Sequence, residues 1–513
     1  MIVLWIIAAI ALLLVLIAIY DLLQKKHAIL RNYPIIGHFR YMLESIGPEL
    51  RQYIVTDNNE ERPFSRDQRR WVYASAKEQN NYFGFGTDID LEMTPNFLII
   101  KPAIFPTKHL RPGDPGFDPT FPIECQKILG GARGREKAFR PKSIVFISAM
   151  SYGSLSAAAV EALNRGCDIA DSLHNTGEGS ISEHHDHGGD LIWQIGTGYF
   201  GARDADGNFS LEELKKRAAK HNVKAIEIKL SQGAKPGRGG VLLADKITPE
   251  IAEIRGIPVG KDCISPPGHS AFGNADELLD FVEAIASETG LPVGIKAAVG
   301  KLDFWHELAQ LMSEGDRGVD FINIDGGEGG TGAAPLVFCD NVALPFKTAF
   351  SRVYRIFSEH HLTDDIVFMG AGRLGFPEAS LLAFAMGVDM VGVAREAMLA
   401  IGCIQAKRCH TGHCPAGVAT QNKWLIRGLD PTDKSARLAN YLITLRRELM
   451  WLTYTVGKEH PAEVSLDDFE IIDDHFNVDH AADIFGYLSA QPSKTSRKPE
   501  DVEAPALHNE HIR

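Results

Sequence analysis

From about residue 143 onward, short apolar runs rich in β-branched residues recur along the chain. Each ends in glycines, amides or charged groups. The runs are SIVFISAMS (143–151), LIWQIGTG (191–198), AIEIKLSQG (225–233), PVGIKAAVG (292–300), DFINIDGGEGG (320–330), IVFMGAGRL (366–374) and MVGVAREA (390–397). Alanine- and leucine-rich helical stretches lie between them, among them LSAAAVEALNRGCDIADSL and PEASLLAFAMG. Repeated strand–helix units of this kind predict a parallel sheet covered on both faces. A short run near HNTGEG brings the strands to eight, the number that closes a (β/α)8 barrel. The polar residues gather just past each apolar stretch, on the one face where such barrels build active sites, whereas an open sheet would collect them at a single switch point. The expected fold class is α/β, a (β/α)8 TIM barrel.

A different pattern opens the chain. Ile2–Tyr20 is an uncharged apolar run, roughly 28 Å long as a helix and close to the thickness of a bilayer core. A signal peptide would carry a basic leading region and a small-residue cleavage site, and neither is visible. Lys25, Lys26 and Arg31 follow the run, which places the remaining chain in the cytoplasm by the positive-inside rule. The expectation is a single-pass membrane protein with a cytoplasmic catalytic domain. The expected division is an anchor at 1–23, an accessory region at 24–140, the barrel at 141–400, a cysteine segment at 401–425, a helical region at 426–490 and a flexible tail at 491–513. The stretch SARLANYLITLRRELMWLTYTVG (435–457) has helical periodicity and is expected to pack beneath the barrel.

The 513 residues leave room for one large domain plus accessory segments. The net charge of −13 gives no electrostatic support for nucleic-acid binding. Seven cysteines, an odd number, do not form a disulfide framework.

Several strand ends carry candidate chemistry. Lys229, Gln232 and Lys235 follow one run at a spacing of three, and Lys296 repeats the theme in GIKAAVG. A lysine closing an apolar strand is costly to bury unpaired, so it is expected to face an anion or a reacting atom. Asn175, Thr176 and Glu178 lie in a glycine-rich turn. Gly370-Ala-Gly372-Arg-Leu-Gly375 matches a dinucleotide fingerprint. Its place at the seventh strand favours a mononucleotide phosphate, with Gly392 and the amides near Ala394 and Arg395 completing the cradle. SEHHDHGGD (182–190) has the composition of a zinc site but no established ligand spacing, and a solvated loop is the better reading.

Cys403, Cys409 and Cys414 are spaced C-x5-C-x4-C, with proline after the third. Spacing alone leaves open an iron–sulfur cluster, a zinc site completed by His410 or His413, or free thiols.

Taken together, SAMSYGSLS, NTGEG, KLSQGAKPGRGG, ISPPGH, DGGEGGTGAAP and GCIQAKRCHTGHCPAGVATQN resemble the motifs of the FMN-binding synthase domain of glutamate synthase. The resemblance covers roughly residues 85–430 and implies a TIM barrel holding FMN. For the cysteine segment it implies a 3Fe-4S cluster on Cys403, Cys409 and Cys414, with a 4Fe cluster as the alternative. It further implies that Met150, Ser151, Asn175, Gln194 and Lys296 contact the flavin and that Gly370, Gly372 and Gly392 hold its phosphate. Lys229 and Glu178 take catalytic positions, and Gln232, Lys235 and Arg255 take substrate positions. The implied reaction reduces 2-iminoglutarate, formed from 2-oxoglutarate and ammonia, to glutamate. Electrons come from a separate donor, either ferredoxin or an NAD(P)H-oxidising subunit.

The chain departs from the family pattern at Arg238, Val241 and Tyr199, so the acid bound is less fixed than the cofactors. Two further readings keep the same fold: an N-methylglutamate-forming transferase that takes an amine in place of ammonia, and a non-catalytic FMN electron-transfer subunit.

Overall fold

The structure is a computed structural model, and it describes residues 1–487 apart from 59, 88, 93, 474 and 476. The tail expected at 491–513 lies outside the described residues. The chain divides into two compact units, residues 1–70 and 71–513. The accessory region expected at 24–140 is therefore split, and residues 71–140 belong to the larger unit.

In the small unit, the apolar run forms the helix Ile2–Leu23. It is long and apolar enough to cross a membrane, with a mean hydropathy of 3.4 over its best window. Its last turn is tied to the chain that follows. The Asp21 carboxylate accepts the Ile35 backbone N–H at 2.9 Å and the His38 Nε2–H at 2.9 Å. These bonds fix the start of a second helix, Ile36–Leu50.

In the large unit, eight parallel strands close into a barrel in sequence order. They are β1 (Val145–Ile147), β2 (His174–Asn175), β3 (Leu191–Ile195), β4 (Val223–Lys229), β5 (Val293–Ala297), β6 (Phe321–Asp325), β7 (Val367–Ala371) and β8 (Met390–Val393). Each overlaps a run expected to be a strand, β4 beginning two residues before its run, and almost every strand residue is buried. Strands buried on both faces read as continuous apolar runs, and that is why the pattern was visible. Helices follow the strands. Ala157–Ile169 begins at Ser156, whose hydroxyl accepts the Ala159 N–H, and Ala275–Thr289 is capped in the same way by Asn274.

The long helix Pro431–Thr455 packs along Ala157–Ile169 and Pro377–Ala385, on the barrel's flank. Expected beneath the barrel, it instead lies against these outer helices. Its buried Arg446 donates to the carbonyls of Ala170 (2.8 Å) and Thr120 (2.9 Å). A small antiparallel sheet joins Phe97–Ile100 to Phe469–Ile472 and Val478–His480, which the sequence did not signal.

Candidate active site

Side chains alternate across a strand, so Glu227 and Lys229 share the inner face of β4, with Lys229 one step nearer the C-terminal mouth. Glu227 is fully buried. Its Oε1 accepts N–H groups from Asn175 Nδ2 (2.8 Å) and Gln194 Nε2 (2.6 Å), and its Oε2 accepts from Asn323 Nδ2 (2.7 Å). Three donors from β2, β3 and β6 thus converge on one carboxylate. Hydrogen bonds to a charged group contribute about 1.5–3 kcal/mol each, which offsets the desolvation of a lone buried charge. Sequence reasoning named Asn175 and Gln194 but missed Glu227 and Asn323. The available signal was an acid at the parity of Lys229 inside an apolar run.

At the mouth, Lys229 Nζ lies 3.0 Å from Glu178 Oε1 and 3.2 Å from Gln232 Oε1. Burial alone would raise the Glu178 carboxyl, but Lys229, Lys235 and Arg255 outweigh it and hold the group below the usual carboxylate range. The fit around it is tight. A Cβ on Gly240 would stand 2.6 Å from Glu178 Oε1, and one on Gly196 would stand 2.7 Å from Oε2. Lys235 is almost fully buried and donates to the Gly239 carbonyl at 2.8 Å. Burial, with Lys229 and Arg238 nearby, lowers it to about 8 against the pull of Glu178. Arg255 closes the helix Pro249–Arg255, lies over the Phe200 ring at 5.2 Å and donates to the Tyr152 carbonyl at 2.8 Å. Its buried Nε has no partner among the described residues. The structure therefore brings Glu178, Lys229, Gln232, Lys235 and Arg255 together around one mouth. One carboxylate faces several cations there, a surplus of positive charge suited to an organic acid.

Met150 and Ser151 follow β1, and the Ser151 amide and hydroxyl press against Gly177. A Cβ at Gly177, where φ is +67°, would come within 2.6 Å of Ser151 N. Lys296 on β5 faces Asp325 Oδ2 at 3.7 Å, and the same oxygen accepts the Gly233 N–H at 2.9 Å.

The glycines within β7 and β8 have packing reasons of their own. A Cβ on Gly370 would meet the Phe346 ring at 2.6 Å, and one on Gly392 would meet Phe146 at 2.8 Å. The turn they open nonetheless carries charge. Arg395 donates to the Glu328 carbonyl at 2.6 Å and lies against Gly330, while the half-buried Glu328 carboxylate accepts the Phe346 N–H at 2.9 Å. Lys347 and Arg373 interact with the same carboxylate. Burial raises the Glu328 carboxyl and lowers the Lys347 ammonium.

Among the positions that depart from the family pattern, Tyr199 is buried and its hydroxyl accepts N–H bonds from Ser270 and Ala271. Arg238 is exposed over the Phe338 ring at 5.5 Å. Val241 begins a strand that pairs antiparallel with Cys263–Ile264 in a two-stranded sheet. Tyr199 therefore supports a loop, a role its sequence position did not suggest. In SEHHDHGGD, His184 pairs with Glu250 at 2.8 Å, His221 pairs with Asp186, and His185 is buried as the cap of a short turn. The loop is partly solvated, with Glu183, Asp186 and Gly188 exposed and Ser182, His185 and Gly189 buried.

Cys403, Cys409 and Cys414 are not joined in disulfides. Burial raises the Cys409 thiol, and the nearby Cys414 raises it further. Lys246 donates to the Cys409 carbonyl at 2.7 Å. Gly332, in the loop after β6, approaches so closely that a Cβ there would stand 2.9 Å from the Cys409 backbone.

Residues 124–459 match the family model described as the conserved region in glutamate synthase. A glutamate synthase large subunit-like protein, YerD, of Bacillus subtilis (strain 168) is 40% identical, with 88% of this chain and 90% of that protein covered. An archaeal-type glutamate synthase (NADPH) of Thermotoga maritima is 34% identical over 60% of this chain, and an archaeal glutamate synthase (NADPH) of Methanocaldococcus jannaschii is 33% identical over 61%. The chain spans 57% and 59% of the length of those two relatives.

Proposed function

Because the chain belongs to the glutamate synthase family, we propose that it is a flavin- and iron–sulfur-dependent oxidoreductase that reduces 2-iminoglutarate to glutamate. 2-Oxoglutarate and ammonia condense to the imine with loss of water; a hydride and a proton then complete the amine. The observation that carries this reading is the convergence of Lys229, Glu178, Lys235 and Arg255 on one barrel mouth.

The residues suit the two groups the reading requires. For FMN, Arg395, Lys347 and Arg373 form a basic cluster at the glycine turn, fit for a phosphate, and the buried Asn323 Oδ1 lacks a partner among the described residues. For a 3Fe-4S cluster, three cysteines lie on one segment, and the Lys246 ammonium stands near Cys409 and Cys414. When bound, FMN would supply hydride chemistry and the cluster single-electron chemistry, with electrons from a separate donor, ferredoxin or an NAD(P)H-oxidising subunit.

The protein's own part is binding, orientation and proton handling. Lys235 and Arg255 bind the two carboxylates of the substrate and fix its orientation. Lys229, held by Glu178 and Gln232, delivers a proton at the nitrogen of the imine. Glu227 fixes Asn175, Gln194 and Asn323 so that the floor of the site is rigid. The helix Ile2–Leu23 anchors the protein in the membrane, with the catalytic unit in the cytoplasm.

The test is spectroscopy of protein purified without oxygen, followed by titration of the reduced flavin. A yellow, iron-containing protein whose reduced flavin is oxidised by 2-oxoglutarate plus ammonia is the expected result. Turnover with methylamine alone would assign the N-methylglutamate-forming reaction instead. A flavin that cycles with electron donors yet never responds to any amine would make the protein an electron carrier, and a colourless, iron-free protein would remove both cofactors.

A further inference from the structure

The helix Ile36–Leu50 carries an apolar stripe that nothing within its own unit covers. At 100° per residue, Ile36, Phe39, Met42, Leu43, Ile46 and Leu50 fall within an arc of about 120°. All six are exposed, Ile36 at 76% and Phe39 at 60%. Off the stripe, Arg40 and Glu44 are paired at 2.8 Å and share the remaining circumference with Ser45, Tyr41 and Pro48, while Glu49 borders the stripe. Such a stripe, wider than a coiled-coil seam and left in water, marks a docking face.

Its position identifies the occupant. The helix starts where Asp21, in the last turn of Ile2–Leu23, holds Ile35 N and His38 Nε2 at 2.9 Å. The stripe therefore begins within one helical turn of the end of a segment long and apolar enough to span a bilayer. Lys25, Lys26 and Arg31 occupy the junction, the chemistry of a headgroup layer. A helix with one broad apolar face and one charged face, starting at that depth, lies in the plane of the interface with its apolar side against the acyl chains. We propose that Ile36–Leu50 is an interfacial helix, seated on the same bilayer that Ile2–Leu23 crosses. The inference rests on the anchor reading given above. Charge plays little part in the seating, because Arg40 and Arg51 are balanced by Glu44 and Glu49. A plain zwitterionic surface is sufficient.

The full chain is reconstituted in phosphatidylcholine nanodiscs containing a lipid with a diazirine high on its acyl chain. Photolabelled peptides are then mapped. Labelling of both 2–23 and 36–50 is expected, concentrated in the second segment on Phe39, Leu43, Ile46 and Leu50 rather than on Glu44 and Ser45. Phe39→Asp combined with Ile46→Asp should lower labelling of 36–50 at least fivefold and leave that of 2–23 unchanged. Labelling confined to 2–23, labelling equal on both faces, or cross-links from the stripe to a second copy of the chain would each overturn the interfacial helix while keeping the anchor. Labelling of neither segment would overturn the anchor reading itself.

Discussion

Tyr199 and His269 are joined by a 3.1 Å contact between Oη and Nδ1. The direction of the bond follows from its neighbours. His269 Nε2 donates to the Lys229 carbonyl at 2.9 Å, so in the neutral ring Nδ1 is the acceptor and Tyr199 is the donor. Burial lowers the His269 pKa, which favours the neutral ring. The Tyr199 oxygen in turn accepts the N–H groups of Ser270 (3.0 Å) and Ala271 (3.1 Å). A loop far along the sequence thus reaches the backbone of the lysine at the barrel mouth. Tyr199→Phe removes the acceptor for two N–H groups, and an unfolding titration in urea should show a loss of about 1–3 kcal/mol. The same variant should retain flavin but turn over more slowly, because Lys229 loses a support.

Lys229→Ala should leave cofactor content and fold intact and lower kcat by about 10²–10⁴, the range expected when a positioned acid is removed. Rates are measured without oxygen from reduced enzyme with 2-oxoglutarate and ammonia. An unchanged rate would take Lys229 out of the chemistry.

Lys235 gives the site a pH limit. Its ammonium, lowered to about 8, is the form that binds a carboxylate. kcat/KM for the oxo acid should therefore fall as pH rises through about 8, and Lys235→Arg should move that limb upward because a guanidinium stays charged. Stability carries the opposite sign. The fold disfavours the charged lysine, so the unfolded chain binds more protons between about pH 8 and the ordinary lysine value, and this group's contribution to stability rises across that window. Denaturant midpoints for the protein and for Lys235→Met, taken at both ends of the window, measure that contribution.

Glu227→Gln replaces one accepting oxygen with an N–H2 group facing amide donors. The barrel should lose about 1–3 kcal/mol in a denaturant titration, the cost of leaving a buried donor unpaired. Flavin affinity, read by fluorescence on release, should fall with it.

Serine at Cys403, Cys409 or Cys414 should lower bound iron and the visible absorption it gives while leaving the flavin spectrum in place. Iron analysis of protein prepared without oxygen reads the effect, and full iron in all three variants would exclude these thiols as ligands.

The barrel was legible because its signal is local. Most strands are buried on both faces and so appear as largely apolar runs, and the polar groups that close them reveal the functional end. Glu178, Lys229, Gln232 and Lys235 could be found in that way. Glu227 could not, since its meaning lies in amides donated from Asn175 and Asn323, 52 and 96 positions away. The same holds for Tyr199, whose partners are about seventy residues distant. The strand Phe97–Ile100 pairs with Phe469–Ile472, and no periodicity near either one announces the other. Residues 71–140 gave no pattern for a related reason, because they are held by contacts to other elements rather than by a repeating face. The Trp71 indole, for example, donates to Glu448 at 2.9 Å.

Position 332 is a mechanical joint. With only a hydrogen there, the glycine loop after β6 rests directly on the cysteine turn, and any larger side chain would drive a wedge between them. The turn that bears the thiols and the loop after β6 are therefore in direct backbone contact, and a side chain at 332 would displace one or the other. On the iron–sulfur reading proposed above, Gly332→Ala is expected to lower bound iron without loss of any sulfur atom.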